Sequence, residues 1–168
     1  MAGTGPRHEP PVWPPRDDRP RVLVECSGDG RRERLVAVLE GRNHAVIDCA
    51  GPKPDEGHLC PAVEGGRCPG AAHADVVVCD LDERDPSSLA VPEAVAHELR
   101  VGASVIVVVS EEVARRHEDE LADCRLLYRP VRPDEILAAV DEALEDLART
   151  PPPRPLRPPG QQGPRPPG

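Results

Sequence analysis

The chain has 168 residues, with 30 acidic and 21 basic side chains, a net charge of −9, one tryptophan, one tyrosine and no phenylalanine. Nucleic-acid binding requires a basic face and aromatic rings for stacking, so this composition predicts no nucleic-acid partner. The longest purely apolar run, residues 105–109, is too short to span a bilayer, and the N-terminus lacks the apolar stretch of a signal peptide. We therefore expect a cytoplasmic protein with no membrane partner.

Proline separates the two ends of the chain from its middle. Six of the first 20 residues and nine of residues 151–168 are proline, and residues 149–168 carry four arginines and no acid. Such a composition is typical of extended segments without a packed core. We therefore predict one domain over residues 21–148, between disordered tails at residues 1–20 and 149–168.

Short runs of β-branched residues alternate with helical patterns in the middle of the chain, which predicts a parallel sheet covered by helices. The predicted strands are residues 21–26, 44–49, 75–81, 104–110 and 124–129. The predicted helices are residues 31–42, 92–102, 110–122 and 132–148. The segment between Cys49 and Asp75 is rich in glycine and proline, so we predict a loop there, with at most one or two helical turns around residues 59–66.

Polar side chains stand at the ends of four predicted strands: Glu25, Asp80, Ser110 and Arg129. The carboxyl ends of parallel strands share one edge of a sheet, where α/β proteins place their sites. The acid in "DVVVCDL" (75–81), together with "RPVRPDEILAAV" (129–140) later in the chain, resembles the receiver domain of bacterial two-component response regulators. The resemblance covers residues 21–148 and implies a flavodoxin-like, doubly wound sheet with strand order 2-1-3-4-5.

The resemblance also implies a function and a site. Asp80 stands where receivers accept a phosphoryl group from a sensor histidine kinase, and Ser110 and Arg129 stand where they support the phosphate. Glu25, Asp80 and Asp82 stand where receivers hold magnesium, Asp82 through its carbonyl. The expected role is therefore phosphorelay signalling through a kinase or another signalling protein, with monomer and homodimer both open.

Three positions depart from the receiver pattern, and one of them is Leu126, which stands where many receivers carry an aromatic residue. Cys26 replaces the second acid of the pair after the first strand, and Arg129 replaces a lysine. A thiol is a poor magnesium ligand, and a guanidinium forks around a carboxylate where a lysine offers a point charge. We therefore keep an alternative in which Arg129 pairs permanently with Asp80 or Glu25, and the chain is a protein-interaction module that works without phosphorylation.

The polar residues flanking the third and fourth strands have simpler interpretations. Ser110 is suited to cap the helix that follows it, a role that is compatible with phosphate support. Asp82, Glu83 and Asp85 are expected to form a solvated loop. The predicted elements bring together no nucleophile set of the Ser/His/Asp or Cys/His type, so we expect a signalling module and not an enzyme.

The six cysteines raise a third hypothesis. Cys26 and Cys49 end adjacent strands, and Cys60 and Cys68 lie in the irregular loop. Four thiols near one edge would suit zinc or an iron–sulfur cluster, and the chain would then be a metal or redox sensor. The spacing matches no common ligand pattern, however, and buried cysteines often serve as small apolar residues.

Overall fold

Five short strands form one parallel sheet in the computed structural model, which describes residues 11–53, 55, 59–99 and 103–150. The strands are β1 (Arg21–Cys26), β2 (Ala45–Cys49), β3 (Val76–Asp80), β4 (Ser104–Val109) and β5 (Arg125–Tyr128). Their order is β2-β1-β3-β4-β5, and every neighbouring pair is parallel. The flavodoxin-like sheet and the strand order expected from the sequence are confirmed. Of the predicted tails, residues 1–10 and 151–168 lie outside the described part of the chain.

Helices follow the strands at the predicted places, with two differences in length. They are α1 (Asp29–Glu40), α2 (Pro69–Ala72), α3 (Pro86–Ala96), α4 (Glu111–Arg116) and α5 (Pro133–Arg149). Helix α3 begins at Pro86, six residues before the predicted start, because the Asp85 side chain caps it by accepting from the Ser87 amide. Pro92, which the pattern suggested as a first residue, lies inside that helix. Helix α4 ends at Arg116, and hydrogen-bonded turns fill residues 117–123.

The second helix is reduced to a single turn, as the glycine and proline content predicted. Residues 61–65 form a turn, and α2 is only four residues long. Gly70 in α2 lies so close to the sheet that an added Cβ would stand 3.4 Å from side-chain carbons of Leu23 and Ile47. The irregular segment is therefore pressed against the sheet at a point where only a small residue fits.

Two apolar cores cover the two faces of the sheet. The α1/α5 face contains Val22, Val24, Cys26, Val76 and Val78, packed against α1 and α5. The α2–α4 face contains Leu23, Val77, Cys79, Val107 and residues of α2, α3 and α4. Side chains alternate between the faces along each strand. The register, which pairs Cys26 with Asp80 and Glu25 with Cys79, therefore places the first pair on the α1/α5 face and the second on the α2–α4 face.

The segment before β1 packs onto the domain. The Trp13 indole N–H donates to the Gly70 carbonyl at 2.9 Å, and the Arg21 guanidinium lies 5.2 Å from the centre of its ring. Trp13 also packs against the core of the α2–α4 face. The packed part of the chain thus extends back to residue 13, into a segment that the sequence assigned to the tail. Within the described residues, no helix has the length and apolar character that a bilayer crossing needs.

Candidate functional site

Asp80, the last residue of β3, lies between two arginines. Its side chain is 1% exposed, and its Oδ1 lies 2.7 Å from Nη2 of Arg129. Its Oδ2 contacts Nε of Arg31. Each carboxylate oxygen therefore lies in ion-pair contact with a guanidinium nitrogen, although Oδ2 has no hydrogen-bond partner among the described residues. Arg129 was expected to pair with Asp80 or Glu25, and the structure pairs it with Asp80.

The two arginines reach Asp80 from different sides and are themselves held by backbone carbonyls. Arg31 lies in the first turn of α1 and also donates to the Val131 carbonyl at 3.4 Å. Arg129 follows β5 and donates from Nη2 to the carbonyls of Leu81 at 3.1 Å and Val108 at 3.3 Å. The arginine side chains are about one-third exposed and the Asp80 side chain is buried, so the two guanidinium groups offset the desolvation of this carboxylate.

An open cavity of about 340 Å³ lies beside this ion pair. Ser27, Asp80, Asp82, Arg84 and Arg129 are among the residues that line it. Arg84 donates to both side-chain oxygens of Asp82 at 3.0 Å and so lowers the pKa of that carboxyl. The Asp82 amide donates to Oγ of Ser27 at 2.9 Å, which links the loop after β3 to the loop after β1.

Glu83 and Asp85 are not free surface acids. An oxygen of Glu83 accepts from the Ser110 amide at 2.8 Å and lies 3.6 Å from Nε of Arg129. Asp85 caps α3. The expectation of a solvated loop is therefore wrong for these two residues, because neighbouring amides in the folded loops use their carboxylates. Ser110 caps α4 as predicted, with its hydroxyl accepting from the Val113 amide at 3.3 Å.

Glu25 lies on the other face of the sheet. It is 2% exposed, and the Cys79 thiol donates to its carboxylate at 3.4 Å. Burial raises the pKa of Glu25 to about 7, and the nearby Glu98 acts in the same direction. The expectation that Glu25 meets Asp80 at one edge is thus wrong, because a residue paired with Cys79 faces away from one paired with Cys26.

The residues around Asp80 do not suit magnesium. Cys26 faces the site with a thiol that donates to the Gly28 carbonyl at 3.6 Å, and burial raises the pKa of that thiol. Asp80, Asp82 and Glu83 are each paired with arginine. Within the described ranges, no group of three histidine, cysteine or acidic side chains is arranged to hold a metal ion. The arginines supply the positive charge that a cation would otherwise bring.

The proposed set of four thiols is divided between the two faces. Cys60 and Cys68 belong to the core of the α2–α4 face, and Cys49 packs against it, whereas Cys26 belongs to the α1/α5 face. All six cysteines lie in the described residues and are free thiols. Burial raises the pKa of Cys60 and Cys68, and it raises that of Cys49 to about 12. These thiols are therefore poorly suited to act as thiolates near neutral pH.

Sequence reasoning missed Arg31, Ser27 and the role of Glu83. Arg31 had a usable signal, because a basic residue in the first turn of the helix after β1 starts at the same sheet edge as Asp80. Glu83 had none, since its partner Ser110 is 27 residues away and is contacted through its backbone.

Solved structures show what this fold is similar to. A response regulator receiver domain protein from Methanospirillum hungatei matches with a TM-score of 0.56 and 20% identity, over 79% of this chain and 98% of that one. The chemotaxis protein CheY4 from Vibrio cholerae matches with a TM-score of 0.53 and 15% identity, over 74% and 98%. A putative pilus assembly protein from Burkholderia thailandensis matches with a TM-score of 0.56 and 19% identity, over 75% and 98%. No protein-family model and no curated protein sequence matches this chain. The described domain therefore has the fold of receiver domains.

Proposed function

We propose that this chain is a receiver-like signalling domain that acts by binding a protein partner, without phosphorylation of Asp80. The observation that carries the proposal is the engagement of both Asp80 oxygens by Arg31 and Arg129. The proposal includes a cytoplasmic location and a binding role in place of an enzymatic one.

Phosphorylation of a carboxylate requires a free carboxylate oxygen and positive charge around the phosphoryl group. One carboxylate oxygen attacks phosphorus, and a divalent cation together with a positive side chain stabilises the charge that spreads over the phosphoryl oxygens. In this chain both oxygens of Asp80 are already paired, a thiol replaces the second acid, and Glu25 lies on the other face. Phosphorylation would have to break an ion pair at a buried carboxylate, and the described residues around it include no group of three metal-binding side chains.

The surface proposed for the partner lies on β5 and the helices beside it. Tyr128 at the end of β5 is 51% exposed, and Leu126 lies with it in a groove bordered by Glu111 and Arg115 of α4. A half-exposed aromatic ring flanked by charges is a common anchor in protein interfaces. A signalling protein is the proposed partner, and a second copy of this chain is the alternative occupant.

A second candidate function is phosphorelay, with Asp80 as the acceptor of a phosphoryl group from a sensor histidine kinase. The open cavity of about 340 Å³ beside Asp80 favours it, since Arg31 and Arg129 line that cavity and are suited to bind phosphoryl oxygens. Ser110 is connected to Arg129 through Glu83, because the Ser110 amide donates to Glu83 and Glu83 lies 3.6 Å from Nε of Arg129.

One experiment separates the two candidates. The full chain and Asp80→Asn are incubated with acetyl phosphate and magnesium chloride, beside a receiver domain that accepts this donor, and intact masses are recorded. The proposal predicts no gain of about 80 Da on either form. An adduct on the wild type that is missing from Asp80→Asn would establish phosphorelay and overturn the proposal.

A further inference from the structure

Three loops at one edge of the sheet meet at the carboxylate of Glu83. Glu83 lies in the loop after β3, and it accepts from the amide of Ser110, the first residue after β4, at 2.8 Å. The same oxygen lies 3.6 Å from Nε of Arg129, the first residue after β5. The carboxylate thus connects the ends of three adjacent strands.

Ser110 and Arg129 are the two residues that the sequence assigned to the support of a phosphate. Glu83 brings an anionic group from within the chain to the backbone amide of Ser110 and to within 3.6 Å of Nε of Arg129. The Ser110 amide makes a charge-assisted hydrogen bond to this carboxylate, whose side chain is about one-quarter exposed. Nε of Arg129 has no hydrogen-bond partner among the described residues and interacts with Glu83 through charge at 3.6 Å. We propose that Glu83 is a built-in anionic latch, which links the loops after β4 and β5 permanently in place of a transferred phosphoryl group.

Glu83 is connected to the proposed partner surface through Ser110 and α4. The Glu83 carboxylate fixes the backbone of Ser110, whose hydroxyl caps α4 through the Val113 amide at 3.3 Å. Helix α4 in turn lines the groove that contains Tyr128 and Leu126. The position of α4, and with it the shape of the groove, is therefore set by Glu83. This inference rests on the proposed function, because a latch of this kind is needed only where no phosphoryl group arrives.

Backbone amide exchange of the full chain tests the latch in the absence of any phosphodonor. Glu83→Ala removes the acceptor of the Ser110 amide, and a lost hydrogen bond of ordinary strength corresponds to roughly tenfold faster exchange. We expect that increase at Ser110 and at the amides of α4, with β1 and β3 unchanged. Asp82→Asn is the matched control, since it removes a neighbouring charge that pairs with Arg84, and it should leave Ser110 unchanged.

Two further variants separate the hydrogen bond from the Ser110 amide from the charge interaction with Arg129. Glu83→Gln keeps an oxygen for the Ser110 amide and removes the charge, so Ser110 should stay protected while the Arg129 Nε–H resonance shifts. Glu83→Asp keeps the charge on a side chain one methylene shorter, and should expose Ser110; it also replaces Glu83→Ala if that variant does not fold.

Unchanged exchange at Ser110 and α4 in both Glu83→Ala and Glu83→Asp would overturn the latch, as would an unmoved Arg129 resonance in Glu83→Gln. A phosphoryl adduct on Asp80 would instead overturn the proposed function. Amide exchange therefore tests the latch, and the intact-mass measurement tests the proposed function.

Discussion

Glu25, the penultimate residue of β1, and Asp80, the last residue of β3, lie on neighbouring strands, yet their carboxylates lie on opposite faces of the sheet. Asp80 is paired with two guanidiniums. Glu25 has one thiol as hydrogen-bond partner, and burial raises its pKa to about 7. The domain thus stabilises one buried acid by charge pairing and favours the protonated form of the other.

The protonation of Glu25 predicts a pH dependence of stability. Its pKa rises from about 4.5 to about 7 on folding, so the folded chain binds this proton more tightly than the unfolded chain. The resulting contribution opposes folding progressively as the pH rises from about 4.5 to about 7, and is constant above that. Glu25→Gln should therefore raise the free energy of unfolding by about 3 kcal/mol at about pH 8, less any cost of burying the amide. Urea unfolding between about pH 5.5 and pH 8 measures the change.

The decisive result for Glu25→Gln is how the change in the free energy of unfolding varies with pH, and not the size of that change at one pH. The cost of burying an amide does not vary with pH, whereas the gain from removing the carboxyl group should grow as the pH rises. Glu40→Gln, which makes the same substitution at an exposed glutamate at the end of α1, is the matched control. An effect of Glu25→Gln that is equal at both ends of the range would contradict the account.

The ion pair between Asp80 and Arg129 predicts that removing the arginine lowers the free energy of unfolding more than removing the acid. Arg129→Ala leaves a buried carboxylate with a single guanidinium and should lower the free energy of unfolding by roughly 3 kcal/mol. Asp80→Asn should cost less, because the freed arginines are partly exposed and can be hydrated. In the Asp80→Asn background, Arg129→Ala should cost clearly less than in the wild type. Equal costs in the two backgrounds, measured by urea unfolding, would show that the two residues do not interact.

The loop after β2 offers a test of how the irregular segment is held. Gly51 has φ of +76°, and a Cβ there would lie 2.4 Å from Cδ2 of Leu81, the residue after Asp80. Gly65 has φ of +77° with open space around it. Gly65→Ala should cost about 1 kcal/mol from backbone strain alone, and Gly51→Ala distinctly more, because Leu81 must also move. If chemical denaturation shows similar losses of free energy of unfolding for the two variants, the close approach of Leu81 to Gly51 does not affect stability.

The cysteines should be slow to react while the chain is folded. Burial raises the pKa of Cys49 to about 12 and that of Cys124 to about 11, so few thiolates exist at about pH 8. Alkylation of Cys49 by iodoacetamide, followed by peptide mass analysis, should be at least about 100-fold slower in buffer than in concentrated urea. Rapid labelling of Cys49, or a disulfide formed in air between Cys60 and Cys68, would revive the thiol-sensor hypothesis.

The sheet was predictable because its strands are runs of β-branched residues, and runs such as 75–81 and 104–110 need helices on both faces. The contact between Asp80 and Arg129 followed from the same reasoning, since both residues follow strands at one edge. The face of Glu25 was not predictable, because neighbouring residues of a strand point to opposite sides and a difference of one position decides the outcome. Arg31 could have been suggested by its place in the first turn of the helix after β1, whereas the contact of Glu83 with Ser110 depends on how a loop is oriented, and a linear pattern carries no such information.

Magnesium binding tests whether guanidinium groups have taken the place of a cation beside Asp80. Calorimetric titration of the full chain with magnesium chloride at about pH 7.5, with Asp80→Asn in parallel, measures it. If the guanidinium groups have replaced the cation, neither protein should show saturable heat. Saturable binding to the wild type that disappears in Asp80→Asn would contradict this replacement.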